Sequence, residues 1–122
     1  MKVEVSIGEL LDKISILAIK LDKVEDKDKL KNIQKEFISL TSQVSSSMYL
    51  DKLYMRLCQV NQKLWNVEDK LRYHERLNNF NEDFINLARS VYKLNDERAR
   101  IKKEVNVKYG SEIIEEKSYQ EY

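Results

Sequence analysis

The sequence contains no proline and two glycines, Gly8 and Gly110. Sheet-rich folds reverse direction at many tight turns, and those turns depend on glycine and proline. A chain of 122 residues with so few turn residues is therefore predicted to be all α. The length supports one modest hydrophobic core, so we interpret residues 1–122 as a single helical domain.

Cysteine and histidine each occur once, as Cys58 and His74. One thiol and one imidazole cannot form a disulfide or a zinc site within one chain, so we expect no metal. Cys58 follows Leu57 of an apolar stripe, which favours an inert, half-buried thiol, and His74 is expected to be a packed imidazole. No glycine-rich phosphate loop is present, and we expect no cofactor.

The sequence also lacks an excess of either charge and a long apolar run. Lys and Arg number 22 against 21 Asp and Glu, and this balance argues against a nucleic-acid partner. No segment approaches the roughly 18 apolar residues of a membrane span, and the first residues lack the pattern of a signal peptide. We therefore expect a cytoplasmic protein without a membrane partner.

Apolar residues at steps of three and four predict four helices. The first starts at Ser6, and the second follows residues 25–28 and ends in a loop within residues 41–47. The third is predicted over about residues 48–77, about 45 Å long, and the fourth runs from Asn81 to Gly110. We predict a four-helix antiparallel bundle or a long helical hairpin with coiled-coil-like heptads and a short C-terminal tail, residues 111–122. The clearest heptad comprises Leu50, Leu53, Leu57, Val60, Leu64, Val67 and Leu71.

Arg98 occupies a position in the fourth helix where the heptad requires an apolar residue. The stripe around it consists of Phe84, Leu87, Val91, Leu94, Ile101 and Val105. A guanidinium buried without a partner is costly, so we expect Arg98 to meet a carboxylate across the bundle, either Asp12 or Glu68.

Two polar clusters supply candidate functional residues. In the first, Glu68, Arg72 and Glu75 share one helical face, and in the second Arg89, Asp96 and Arg100 do so. The candidate ligand-binding or partner-binding residues are Trp65, Glu68, Arg72, Arg89, Tyr92, Asp96 and Arg98. The alternative for both clusters is a solvated face of ordinary ion pairs. No catalytic residue can be assigned.

Four sequence blocks carry a resemblance to a known family. They are IGELLDKI (7–14), LWNVEDKLR (64–72), LARSVYKLNDERA (87–99) and EEKSY (115–119). Together they resemble a family of small bacterial and phage proteins of unknown function, whose genes are often found near genes for glycan or lipopolysaccharide synthesis. The resemblance implies a helical domain and a cell-surface glycan context, and it supplies no catalytic residue.

Two functions fit these observations. The first is a non-catalytic helical module that forms a homodimer through its heptads, binds a protein partner and is accessory to surface-glycan biosynthesis. The second is a small all-α ligand-binding protein or enzyme with an arginine-rich pocket between helices for a phosphate- or carboxylate-bearing substrate. The acidic tail is expected to dock on the arginine-rich face, with a frayed terminus as the alternative.

Overall fold

The computed structural model describes residues 1–122, which form four α-helices and no strand. The helices are α1 (Ile7–Lys23), α2 (Lys27–Thr41), α3 (Lys52–Arg76) and α4 (Glu82–Lys108), with a short 3-10 helix at Ser46–Leu50 before α3. The all-α prediction is confirmed. None of these helices combines the length and the apolar character needed to cross a membrane.

Side-chain caps set the starts of the helices. Ser6 Oγ accepts a hydrogen bond from the backbone N–H of Glu9 at 3.1 Å, and Asn81 Oδ1 accepts one from Phe84 at 3.1 Å. Asp26 caps α2 in the same way. Each cap satisfies a backbone donor that has no partner within its helix, and this local chemistry made the starts of α1, α2 and α4 predictable from the sequence.

The third helix begins later than predicted. Asp51 Oδ1 accepts from the N–H of Leu53 at 2.8 Å and caps α3, so the helix starts at Lys52 rather than near residue 48. Leu50, the first residue of the predicted heptad, lies in the 3-10 helix and is 84% exposed. The 25 residues of α3 span about 37 Å rather than 45 Å.

The helices are arranged as a long hairpin with a shorter one against it. The start of α3 lies beside the end of α4, as the ion pair of Asp51 with Lys108 shows, so the two helices are antiparallel. Helix α1 packs against α2, α3 and α4, whereas α2 packs against α1 alone. The fold therefore combines the two predicted architectures, with a three-helix core of α1, α3 and α4.

The buried core occupies only one end of the long hairpin. Its central cluster is formed by Leu11, Leu57, Val60, Ile101 and Val105. Helix α1 lines a cleft with residues 64–72 of α3 and pairs with Arg98 of α4. Toward its tip the hairpin continues as two helices, and none of residues 62–100 is buried. We call residues 62–76 of α3 together with residues 82–100 of α4 the distal arm.

Candidate functional site

A cluster of polar side chains lies where α1, α3 and α4 meet. The Asp12 carboxylate is fully buried, and Arg98 approaches it with Nη2 at 2.5 Å from Oδ2 and Nε at 2.9 Å from Oδ1. This two-nitrogen contact has the planar geometry that favours arginine over lysine. The predicted pairing of Arg98 with Asp12 is confirmed, and Glu68 pairs instead with Arg72 on its own helix.

Neutral groups complete the hydrogen bonding around this carboxylate. Asn61 Nδ2 on α3 donates to Asp12 Oδ1 and to Ser15 Oγ, both at 2.8 Å. Ser15 Oγ in turn donates to the backbone oxygen of Asp12 at 2.7 Å. Three helices thus contribute to one buried network, which satisfies the polar atoms that would otherwise be costly to bury.

Lys102 extends the network toward the end of α4. Its Nζ lies 2.5 Å from Glu9 Oε2, 3.6 Å from Glu115 Oε1 and 3.9 Å from Asp12 Oδ2. The hydrogen bonds that Arg98 donates to the Asp12 carboxylate raise the pKa of the guanidinium further above its ordinary value, so the guanidinium stays charged. The two cations are matched by the carboxylates of Asp12 and Glu9. The network, which we call the polar junction, therefore holds the helices together without a ligand.

A cleft opens between α1 and α3 on one side of the polar junction. It has a volume of about 380 Å³. Its lining residues are Ile16, Ile19, Asn61, Leu64, Trp65, Glu68, Asp69, Arg72 and Arg98. Four of the seven candidate residues thus come together here. Arg72 Nη2 lies 3.3 Å from Glu68 Oε2, and its side chain is 78% exposed, so this guanidinium can still reach an anion in the cleft.

A second cleft, of about 750 Å³, lies between α4 and the tail on the other side of Arg98. Candidates Tyr92, Asp96 and Arg98 line it together with residues of the tail. The ring centroids of Tyr92 and Tyr122 are 5.1 Å apart in an edge-to-face contact. A hydrogen bond with Asp96 raises the pKa of the Tyr122 hydroxyl. The tail therefore forms one wall of this cleft.

Arg89 lines neither cleft and is exposed on the distal arm. It shares a helical face with Asp96 and Arg100, but Arg89 and Arg100 lie about 16 Å apart along the helix. A common face therefore does not make a common pocket. The structure divides the arginines that sequence reasoning had grouped into one site.

Sequence reasoning missed the close approach of α1 and α4. The N–H of Gly8 donates to Asn106 Oδ1 at 2.6 Å, and a Cβ at this glycine would lie against the Lys102 carbonyl oxygen. A glycine inside a helical pattern is the signal that could have revealed it, because such a glycine often marks close backbone approach. Asn61 and Ser15 carried no comparable signal.

The two residues considered for nucleophilic or acid–base chemistry have structural surroundings. His74 is half-buried, and its Nδ1 lies 3.0 Å from the backbone oxygen of Asn79. Cys58 is half-buried, and burial raises the pKa of its thiol, which keeps it in the unreactive protonated form. No three His, Cys, Asp or Glu side chains lie close enough together to hold a metal ion.

Comparison with known families places the chain in the family of unknown function DUF6165, whose model matches residues 1–122. The chain belongs to this family. No curated protein and no solved structure matches it.

Proposed function

We propose that this protein is a non-catalytic helical interaction module that forms a homodimer through its distal arm. The observation that carries the proposal is the absence of any buried side chain among residues 62–100, although the heptads continue through both helices of the arm. Heptad positions in a stable helical assembly are normally shielded from water on both sides of the seam. We infer that the distal arm of a second copy of the chain covers the exposed side of these heptad positions.

The apolar seam of the distal arm is half-buried. It consists of Leu64, Val67, Leu71, Phe84, Leu87, Val91 and Leu94. Near the tip of the arm, Tyr73, Leu77, Phe80 and Ile85 are between 46% and 55% exposed. Two helices cover such a seam from one side only, whereas two hairpins packed together form a four-helix bundle that covers both.

The total surface area supports an interface of useful size. The chain exposes 8959 Å², whereas a compact monomer of 14.6 kDa exposes about 6900 Å². Burying about 1000 Å² of this excess on each chain would give an interface of about 2000 Å², which is sufficient for a permanent dimer. Residues 62–100, none of which is buried, and the exposed tail residues 112–122 contribute to this excess.

The charges on the arm favour a second copy as its partner. Acidic residues Glu82 and Asp83 begin α4, and basic residues Arg89 and Lys93 follow within two to three turns. Two antiparallel copies related by a twofold axis can place the acidic end of each arm beside the basic stretch of the other. A partner of one strong charge would find no matching surface, because both signs are interleaved along the arm.

Sedimentation equilibrium of the full chain from micromolar to sub-millimolar concentration tests the proposal. We expect the wild type to be a dimer and Ile85→Lys to be a monomer. Ile85 is already 46% exposed, so the substitution should leave the fold of each chain intact, as circular dichroism can verify. Ile38→Lys on α2 is the matched control, because Ile38 is exposed but lies outside the arm, and it should remain dimeric.

Two outcomes would overturn the homodimer. One is a wild-type chain that stays monomeric over the whole concentration range. The other is a dimer that Ile38→Lys dissociates while Ile85→Lys does not, because the interface would then involve α2 rather than the arm.

The cellular role that we propose is that of a cytoplasmic accessory protein of surface-glycan biosynthesis. Its support is the family resemblance carried by the four sequence blocks. Deleting the gene in its host and comparing the surface glycans of the mutant with those of the parent tests this role. Unchanged glycans would contradict it.

A second candidate function is binding of a small phosphate- or carboxylate-bearing ligand in the cleft between α1 and α3. The specific observation in its favour is that Trp65, Glu68, Arg72 and Arg98 line this one cleft. A thermal-shift screen with sugar phosphates, nucleotide sugars and nucleotides tests it. A ligand that raises the melting temperature should lose this effect in Arg72→Ala and keep it in Arg89→Ala, because Arg89 lies outside the cleft.

A further inference from the structure

The C-terminal tail runs back along α4 in the opposite direction to the helix. At its start the N–H of Ser111 donates to the Asn106 oxygen at 2.9 Å. Further along, Lys103 Nζ lies 2.9 Å from Glu116 Oε2, and the last residue, Tyr122, packs against Tyr92. The tail thus covers about four turns of α4.

After Ser111 the tail is held by side-chain contacts and by one hydrogen bond to its backbone, from Ser111 Oγ to the Ile113 oxygen at 2.6 Å. No backbone–backbone hydrogen bond joins residues 112–122 to the rest of the chain, and every one of these residues is exposed. None of them contributes to the buried core. The Lys103–Glu116 pair is exposed, and the 3.6 Å contact of Glu115 is with a lysine that Glu9 already holds at 2.5 Å. Exposed ion pairs contribute little and are screened by salt, and Lys102 keeps Glu9 as its partner, so the tail can leave α4 without unfolding any helix. It therefore occupies this face of α4 as a tethered ligand would.

The face beneath the tail has two distinct subsites. Lys102 and Lys103 are adjacent on α4 and receive the adjacent carboxylates of Glu115 and Glu116. About two to three turns earlier on α4, Tyr92 and Asp96 receive the ring and the hydroxyl of Tyr122. The face thus presents two lysines at one end and an aromatic ring with a hydrogen-bond acceptor at the other. It matches an extended segment that carries two adjacent acidic residues and, six positions after the second of them, a tyrosine.

We propose that this face of α4 is a binding groove for an extended acidic segment of another protein chain that carries a tyrosine six positions after its acidic pair, and that the chain's own tail is the resident competitor. Because the tail is tethered, it is present at a high effective concentration and keeps the groove closed to weak ligands. A segment with the same spacing of acidic residues and tyrosine displaces it by making the same contacts more strongly. Peptide recognition of this kind depends on a few side-chain anchors along an extended backbone.

The probe for this groove is a fluorescein-labelled synthetic peptide of residues 112–122, titrated with the full chain and followed by fluorescence anisotropy. The groove is opened by the triple variant Glu115→Ala/Glu116→Ala/Tyr122→Ala, which removes the three anchors from the tethered tail. We expect this variant to bind the peptide about tenfold or more tightly than the wild type does, because the competitor has lost its contacts.

The matched control is Glu112→Ala/Glu121→Ala/Tyr119→Ala. These three tail residues are of the same types but make no ion pair or ring contact, so this variant should bind the peptide as weakly as the wild type. A Lys103→Ala substitution added to the opened variant should weaken binding again. Circular dichroism should show equal helix content in all variants.

The inference is overturned if the opened variant binds the peptide no better than the wild type. It is also overturned if a scrambled peptide of the same composition binds equally well, since net charge alone would then explain the affinity. Peptide binding by a strictly monomeric chain would contradict the proposed homodimer and leave the groove standing. A dimeric chain that does not bind the peptide would contradict the groove and leave the homodimer standing.

Discussion

Arg98 and Asp12 lie 86 positions apart in the sequence, and two nitrogens of the Arg98 guanidinium hold the fully buried Asp12 carboxylate. The pair joins the middle of α4 to the first half of α1. It lies at the border between the three-helix core and the distal arm, with a cleft on either side of Arg98. This contact therefore fixes how the shorter hairpin is seated on the longer one.

Removing Arg98 should destabilise the fold strongly. We expect Arg98→Ala to lower the free energy of unfolding by about 3 kcal/mol, because it leaves the Asp12 charge buried without its partner. Arg98→Met should cost less, since its side chain fills part of the volume that alanine leaves empty. Urea denaturation of both variants measures the difference. Arg100→Ala is the control, because Arg100 is exposed and forms no ion pair. If Arg100→Ala lowered the free energy of unfolding as much as Arg98→Ala does, the special role of the buried pair would be contradicted.

The two glycines should respond differently to alanine. We expect Gly8→Ala to lower the free energy of unfolding by about 2 kcal/mol, because its Cβ would meet the backbone of Lys102 and push α1 away from α4. Gly110→Ala meets no neighbouring atom, but Gly110 has a φ of 64°. Its cost should be about 1 kcal/mol of local backbone strain. Thermal unfolding of the two variants tests this order, and a reversed order would contradict the close helix contact at Gly8.

Low pH should weaken the contacts between the start of α3 and the end of α4. Hydrogen bonds from Lys108, Tyr109 and the N–H of Leu53 lower the pKa of Asp51 from 3.8 to about 2. Because the folded state favours the ionised form, this stabilisation is present above about pH 4 and is lost as the pH falls toward 2. The free energy of unfolding should therefore change less steeply with pH in this range for Asp51→Asn than for the wild type. Asparagine at this position can still cap the helix. Asp69→Asn, at an exposed residue without an ion pair, should keep the slope of the wild type.

Helix α2 should be the least protected helix in hydrogen exchange. It packs against α1 alone and has no buried residue, whereas α4 contains the buried residues Ile101 and Val105. Local opening of α2 breaks few apolar contacts and leaves the core intact. Mass spectrometry of exchanged peptides should show residues 27–41 labelled well before residues 101–106. Equal protection of the two segments would mean that α2 is covered by something other than α1.

Much of the secondary structure could be predicted because its causes are local. The scarcity of glycine and proline, the spacing of apolar residues and caps such as Ser6 and Asn81 act within a few residues of the chain. The Arg98 partner could be narrowed to two carboxylates because a charge in an apolar stripe requires compensation. The start of α3 was predicted too early because Leu50 continues the heptad pattern. The side chain of the next residue, Asp51, caps the helix, which therefore begins at Lys52.

The candidate site could be predicted only in part. Trp65, Glu68 and Arg72 lie within eight positions on one helix, so helical spacing was sufficient to bring them to one cleft. Arg89 was grouped with Asp96 and Arg100, which lie about 10 Å and about 16 Å further along α4. The grouping failed because periodicity gives the face of a residue and not its neighbours across the bundle. Asn61 and Lys102 were missed for the same reason, since their roles depend on side chains of α1.

The sequence by itself determined the helical class, most helix ends and the need for a partner at Arg98, since each follows from contacts between residues near in the chain or from the cost of burying a charge. Only the tertiary structure decided that α2 lies outside the core, that the arm has no buried side chain and that the tail runs back along α4. These features depend on how far each helix reaches along its neighbours, and this reach is set by packing between residues distant in the sequence.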